Sequence, residues 1–151
     1  MDGDAVSAAD RLQTAADRIE IAILIARIAQ HADGGTPEEY ISCFTADAVW
    51  ELADAGGLPM AGGRVQGHDE ILSGVRTRRA DGIQGPGSHT RHDVSSITVD
   101  VDGDVATSRA YFRYYTGTDA TPAIVAIGTY DDTHVREADG WKLSRRVITR
   151  S

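Results

Sequence analysis

"TRHDVSSITVDVDGDVATSRAYFRYYT", residues 90–116, is the stretch that decides the fold. Apolar and polar residues alternate through "ITVDV" and again through "VATSRAYF", the period-two pattern of half-buried strands. Asp102-Gly103 between them is a hairpin turn signal. Two further strands follow: "AIVAIGTYDDTHVRE" (123–137) after the turn "GTDATP", and "WKLSRRVITR" (141–150) after Asp139-Gly140. The C-terminal part therefore reads as an antiparallel meander of four long strands.

Working outward to the N-terminus, the pattern changes to helices. "SAADRLQTAADRIEIAILIARIAQHAD" (7–33) carries Ile21, Leu24, Ile25 and Ile28 at helical spacing and stops at Gly34-Gly35. "TPEEYISCF" (36–44) opens a second helix, with Thr36 as N-cap, Pro37 at the first helical position and Glu39 completing a capping box. Tyr40, Ile41 and Phe44 form its apolar side. "AVWEL" (48–52) is a short strand, and "ADAGGLPMAGGRVQG" (53–67) is a loop or loose hairpin. "HDEILSGVRTRRA" (68–80) is a third helix with Ile71, Leu72 and Val75 inward, and "DGIQGPG" (81–87) is a connection. Helices followed by a meander predict an α+β architecture: a single domain over 1–151 whose curved, mixed or antiparallel sheet wraps around the N-terminal helices as a cone-shaped barrel. A pocket is expected where the helices fail to fill the cone.

The bulk composition narrows the function classes. The 151 residues carry a formal charge of −8 with one lysine, Lys142, which argues against a nucleic-acid partner. No apolar run approaches the roughly 20 residues that span a bilayer, so no membrane partner is expected. "MDGDAVSAADRLQ" lacks the basic and apolar segments of a signal peptide, and Cys43 is the single cysteine; both fit a cytoplasmic protein. There is no GxSxG, P-loop or GxGxxG, and no histidine spacing of a metal site. No metal and no cofactor are expected.

Asp33 and His92 are the candidate pair. Asp33 falls on the apolar face of the first helix, eight residues after Ile25, in its last turn. The negative end of the helix dipole and burial both disfavour a carboxylate there, so it needs a donor inside the cavity. His92, near the start of the first long strand, is the natural partner. An Asp–His pair in a cavity is a proton-transfer unit, in which the carboxylate fixes the imidazole tautomer and stabilises the imidazolium. A separation beyond about 6 Å without a bridging water excludes this pairing. The blander readings are a solvated turn residue for Asp33 and a structural strand histidine for His92. His89 and Arg91 take the other strand face, as rim or surface. His31, His68 and His134 read as solvated. On the second strand, Val105, Thr107, Arg109, Tyr111, Arg113 and Tyr115 share one face, and Ala106, Ser108, Ala110, Phe112 and Tyr114 the other; sequence alone does not say which is concave. Trp50 and Arg146 either line the cavity or serve structure, and Trp141 reads as a packing residue.

On four pieces the chain resembles the SnoaL-like branch of the nuclear transport factor 2-like superfamily: "IARIAQHADGGTPEEYISCFTADAVWE", "GRVQGHDEIL", "HTRHDVSSITVDVDGDVATSRAYF" and "GTYDDTHVREADGWKLSRRVI". Their order and spacing cover the chain from about residue 15 onward. The resemblance implies a cone-shaped α+β barrel with a deep apolar pocket, oligomeric through its sheet as a homodimer or homotrimer. Scytalone dehydratase and hexachlorocyclohexane dehydrochlorinase of this superfamily use a His–Asp dyad, and Asp33 and His92 match its positions. Trp50 and Arg146 match pocket-lining positions. Thr36 stands where many relatives carry a second acidic residue, and Ser96 where asparagine is frequent. The resemblance implies a cofactor-independent lyase or isomerase acting on a small apolar ring, polyketide or steroid-like substrate. His92 would take a proton from carbon and Asp33 compensate it, while Trp50, Tyr111 and Arg146 contact substrate. The rival is a non-catalytic small-molecule-binding or protein-interaction module of the same fold.

Overall fold

The computed structural model describes residues 6–53 and 63–151. Its elements are α1 (Ala8–Asp33), α2 (Pro37–Ile41), β1 (Phe44–Leu52), β2 (Arg64–Gln66), α3 (Gly67–Ala80), β3 (Arg91–Asp102), β4 (Val105–Thr116), β5 (Ala123–Glu137) and β6 (Gly140–Arg150). The strands form one sheet in the order β2-β1-β6-β5-β4-β3. Every pairing is antiparallel except β1 with β6, which sets Trp50 beside Arg146.

The local signals account for most of these boundaries. Ser7 and Asp10 form a capping box at the start of α1, and Thr36 with Glu39 forms another on α2. Gly103, at φ 61°, makes the β3–β4 turn in a conformation that favours glycine. One boundary differs from expectation. Phe44 belongs to β1, because α2 ends at Ile41 and the chain extends to pair with β6. Of the two readings of 53–67, loop or loose hairpin, the hairpin holds: β2 pairs back onto β1 through Val49↔Gln66 and Trp50↔Val65; the glycine-rich middle of that segment lies outside the described residues.

Ile21, Leu24, Ile25 and Ile28 of α1 pack with Ile71 and Val75 of α3, Ala106 of β4, and Trp141 and Leu143 of β6 as the main core. Trp141 thus packs as expected, and its indole N–H donates to the buried Asp17 carboxylate on α1 at 3.1 Å. Arg136 donates to both oxygens of Asp17 at 2.8 Å and lies 4.5 Å over the Trp141 ring. A second cluster, Leu52, Phe112, Tyr130 and Ile148, forms away from the main core. The sheet curves around the helices but does not close: β2 and β3 are its two edges. The α+β cone stands; closure into a barrel does not.

Alternation along the strands is interrupted at three points that matter for the site. In β3, Ser95 pairs with Tyr111 but Thr98 pairs with Arg109, so one extra residue is accommodated as a β-bulge. Ser96 sits in it at φ 53°. In β6 the register slips between Arg145 and Leu143, and in β5 between Ala126 and Ile124. Each bulge reverses which alternate residues face inward.

Candidate active site

The last turn of α1 brings Asp33 to the start of β3. Its Oδ1 lies 2.7 Å from His92 Nδ1, and its Oδ2 accepts the His92 backbone N–H at 2.9 Å. The side chains are 13% and 19% exposed, so the pair is substantially withdrawn from water. The carboxylate sits at the negative end of the α1 dipole, and both its oxygens are met by donors from one residue. Arg79 of α3 donates from Nη2 to the His31 carbonyl at 3.0 Å, placing a cation where that helix end needs one.

A carboxylate at Nδ1 makes that nitrogen the protonated one and leaves the lone pair on Nε2. Among the described residues Nε2 has no hydrogen-bond partner. The ring borders a cavity of about 140 Å³ and a smaller recess of about 40 Å³ behind it. The second apolar cluster is the wall of this cavity: Leu52, Phe112, Tyr130 and Ile148 all line it, with Phe112 stacked on Tyr130 at 4.5 Å.

Trp50 lines both spaces. Arg146 borders the inner recess, buried, with Nε and Nη2 donating to the two oxygens of Asp132 at 2.9 and 2.7 Å and its guanidinium 3.9 Å over the Tyr130 ring. Burial works against the Arg146 charge, but Asp132 outweighs it and raises the pKa. Burial likewise raises the hydroxyls of Tyr40 and Tyr130, so both are neutral donors.

Tyr111 does not belong to the site. It is 53% exposed on the convex face of β4, whose concave residues are Ala106, Ser108, Ala110 and Phe112. The strand-parity choice falls the other way, and Tyr114 is the tyrosine that reaches the cavity. Its ring lies 4.7 Å from that of His92, its hydroxyl donates to the Ile83 carbonyl, and burial raises its pKa. His134 is also misplaced by a sequence reading: it is 0% exposed, with Nε2 2.8 Å from Ser108 Oγ. His68 is half-buried against the Phe44 carbonyl, and His31 is half-buried too. His89 is exposed, 3.8 Å from Asp119, as expected of a rim residue.

A family model described as the SnoaL-like domain matches residues 13–147. The chain belongs to the SnoaL-like domain family. No curated protein matches it. Among solved structures, this SnoaL-like chain is similar to an NTF2-like protein with a cystatin-like fold from Novosphingobium aromaticivorans, at 26% identity and TM-score 0.77, over 98% of this chain and 90% of that one. A Mycobacterium tuberculosis protein of unknown function shares its fold at 22% identity and TM-score 0.73, covering 97% and 78% of the two chains. So does a provisionally named scytalone dehydratase from Novosphingobium aromaticivorans, at 22% identity and TM-score 0.72, covering 93% and 88%.

Two polar residues of this SnoaL-like site, Gln84 and Arg78, went unread in the sequence, and Tyr114 was placed only on one of two strand faces. Tyr114 carried a signal in its parity with Phe112. Gln84 and Arg78 carried none, since a glutamine in a glycine-rich connection and an arginine at a helix end are both ordinary surface choices. In the fold, Arg78 Nε donates to Gln84 Oε1 at 2.8 Å, and both line the cavity and its recess. No group of three or more His, Cys, Asp or Glu side chains among the described residues forms a metal-binding cluster. No helix among them is long and apolar enough to cross a membrane.

Proposed function

We propose that this SnoaL-like domain is a cofactor-independent lyase or isomerase of the His–Asp dyad type, acting on a small, largely apolar ring substrate. The observation that carries the reading is the two-pronged hold of Asp33 on His92, which leaves Nε2 as a base at the wall of an apolar cavity. Nε2 removes a proton from carbon next to a carbonyl or leaving group, and Asp33 stabilises the imidazolium that results. The carbanion or enolate then expels its leaving group, or is reprotonated at another carbon. Trp50 and Tyr114 pack against the ring of the substrate. Arg146 acts indirectly, holding Tyr130 in the cavity wall, because its own charge is spent on Asp132. A homo-oligomer through the outer sheet face fits the same reading, with Val105, Tyr111 and Ile127 exposed there.

Deuterium uptake tests the proton step without knowledge of the full reaction. A panel of cyclic ketones in D₂O is followed by NMR with and without the protein. Enzyme-catalysed exchange at the carbon next to the carbonyl is expected for those that bind, and His92→Gln is expected to lower it by about 10²- to 10⁴-fold. Ketones that bind the wild-type cavity but exchange no faster than in buffer would show a binding module instead.

A further inference from the structure

The cavity holds a cation that no carboxylate among the described residues neutralises. Arg78 reaches it from the last turn of α3, its guanidinium 5.4 Å from the Trp50 ring centroid. Its one hydrogen bond among the described residues is from Nε to the neutral amide of Gln84, itself buried. Among the described residues no carboxylate forms an ion pair with it, whereas Arg146 has Asp132 and Arg136 has Asp17 and Asp104. Nη1 and Nη2, the two-pronged end that suits an oxyanion, have no protein partner among those residues. Burial lowers the pKa of Arg78, as expected of a guanidinium withdrawn from water without a carboxylate partner among the described residues.

The helix also leaves room beside this side chain. Gly74 lies one turn earlier, and a Cβ there would stand 3.0 Å from Arg78 Nη1. A glycine inside a helix costs about 1 kcal/mol against alanine, so the room it gives Arg78 comes at the expense of stability. The chain's net charge of −8 repels anions at long range. An anion preference in this cavity must therefore come from a local cation.

From this arrangement we propose that the cavity selects an apolar ring ligand bearing an anionic oxygen, and that Arg78 receives that oxygen between Trp50 and Gln84. The inference rests on the proposed reading only in taking the same cavity as the working site. The oxygen is either a carboxylate that the ligand already carries or the enolate that proton removal by His92 creates. The scale is one ring, since a cavity of roughly 150 Å³ holds benzene.

Calorimetric titration at a pH where the anions are ionised separates the two sources. 4-Ethylbenzoate is compared with neutral 4-ethylbenzamide, and 4-cyanophenolate, an enolate mimic, with neutral 4-cyanotoluene. The wild-type protein is expected to favour the anion of at least one pair by about 10- to 100-fold, the worth of a charge-assisted hydrogen bond. Preference for the benzoate identifies a standing carboxylate; preference for the phenolate identifies an enolate oxygen. Arg78→Gln is expected to abolish the preference while still binding the neutral probes, which shows that its cavity is intact. Arg150→Gln, at another cavity-lining arginine, is expected to keep it. Equal affinities within both pairs, no binding by the wild type, a preference surviving in Arg78→Gln, or its loss in Arg150→Gln would each overturn the proposal. His92→Gln is expected to retain the preference, because equilibrium binding needs no proton transfer. Anion selection without ketone exchange would therefore reject the catalytic reading alone, and exchange without anion selection would reject this one alone.

Discussion

At the scale of single residues, Asp33 is asked to do two things, and an amide can do only one of them. Its Oδ2 takes the His92 backbone N–H and its Oδ1 faces Nδ1. In Asp33→Asn the amide oxygen can keep the backbone bond, which turns the amide N–H toward Nδ1. Nδ1 must then accept, Nε2 carries the proton, and the base is lost with little change in shape. Ketone exchange is expected to fall by about 10²- to 10⁴-fold, with the protein still folded. Nitrogen-15 chemical shifts of the His92 ring check the cause, since the proton should move from Nδ1 to Nε2. A variant with unchanged tautomer and unchanged exchange would remove Asp33 from the mechanism. That Asp33 meets His92 was legible in the sequence, from a helix register on one side and a resemblance on the other. Tyr111 was not resolvable from Tyr114 in that way, because alternation assigns two faces without saying which is concave.

At the scale of elements, the bulge in β3 decides where His92 points. Ile97, Val99 and Val101 face inward at odd positions, while His92 and Val94 do so at even ones. Without the extra residue around Ser96, His92 would lie on the solvent face whenever the core residues lie inward. The break was present in the sequence as a change of phase between Val94 and Ile97, and reading the strand as regular concealed it. A similar slip in β6 turns both Leu143 and Arg146 inward, although they are three residues apart. Strand existence and order were thus legible, whereas the positions of extra residues depend on what the partner strand does. Ser96 holds a positive φ that costs a non-glycine residue about 1–2 kcal/mol, and asparagine tolerates that conformation better. Ser96→Asn or Ser96→Gly is expected to raise stability by up to about 1 kcal/mol in urea unfolding. Ser96→Val, with a branched Cβ that disfavours this conformation, is expected to lower it by about 2 kcal/mol and to weaken the His92–Asp33 contact. If valine is tolerated with the contact intact, the bulge is not what orients His92.

At the scale of the whole molecule, the concave interior divides into an apolar floor, an open cavity and a buried polar layer between them. Asp132 and His134 are inward neighbours on β5, with Arg146 and Ser108 beside them on the flanking strands. Asp132 is committed to Arg146, and its upward pull on the His134 pKa is outweighed. Burial dominates and lowers the His134 pKa to about 4 from an ordinary 6.5. Its Nδ1 is buried without a hydrogen-bond partner among the described residues, another sign of a neutral ring held in place by packing. The sign follows from the two protonation states. Above pH 6.5 the ring is neutral in both the folded and unfolded chain, and the fold keeps its full stability. Between 6.5 and 4 the unfolded chain takes up a proton that the folded one refuses, so stability falls as the pH falls, and this contribution levels off below 4. Over that window the loss attributable to His134 is about 3 kcal/mol. Urea unfolding of the wild type and His134→Leu at pH 7 and pH 4.5 isolates it, because leucine fills the site without titrating. The variant is expected to start less stable at pH 7, having lost the bond to Ser108, and to lose about 2–3 kcal/mol less on acidification. Equal losses in the two proteins would mean that His134 is not the group that makes this fold acid-sensitive.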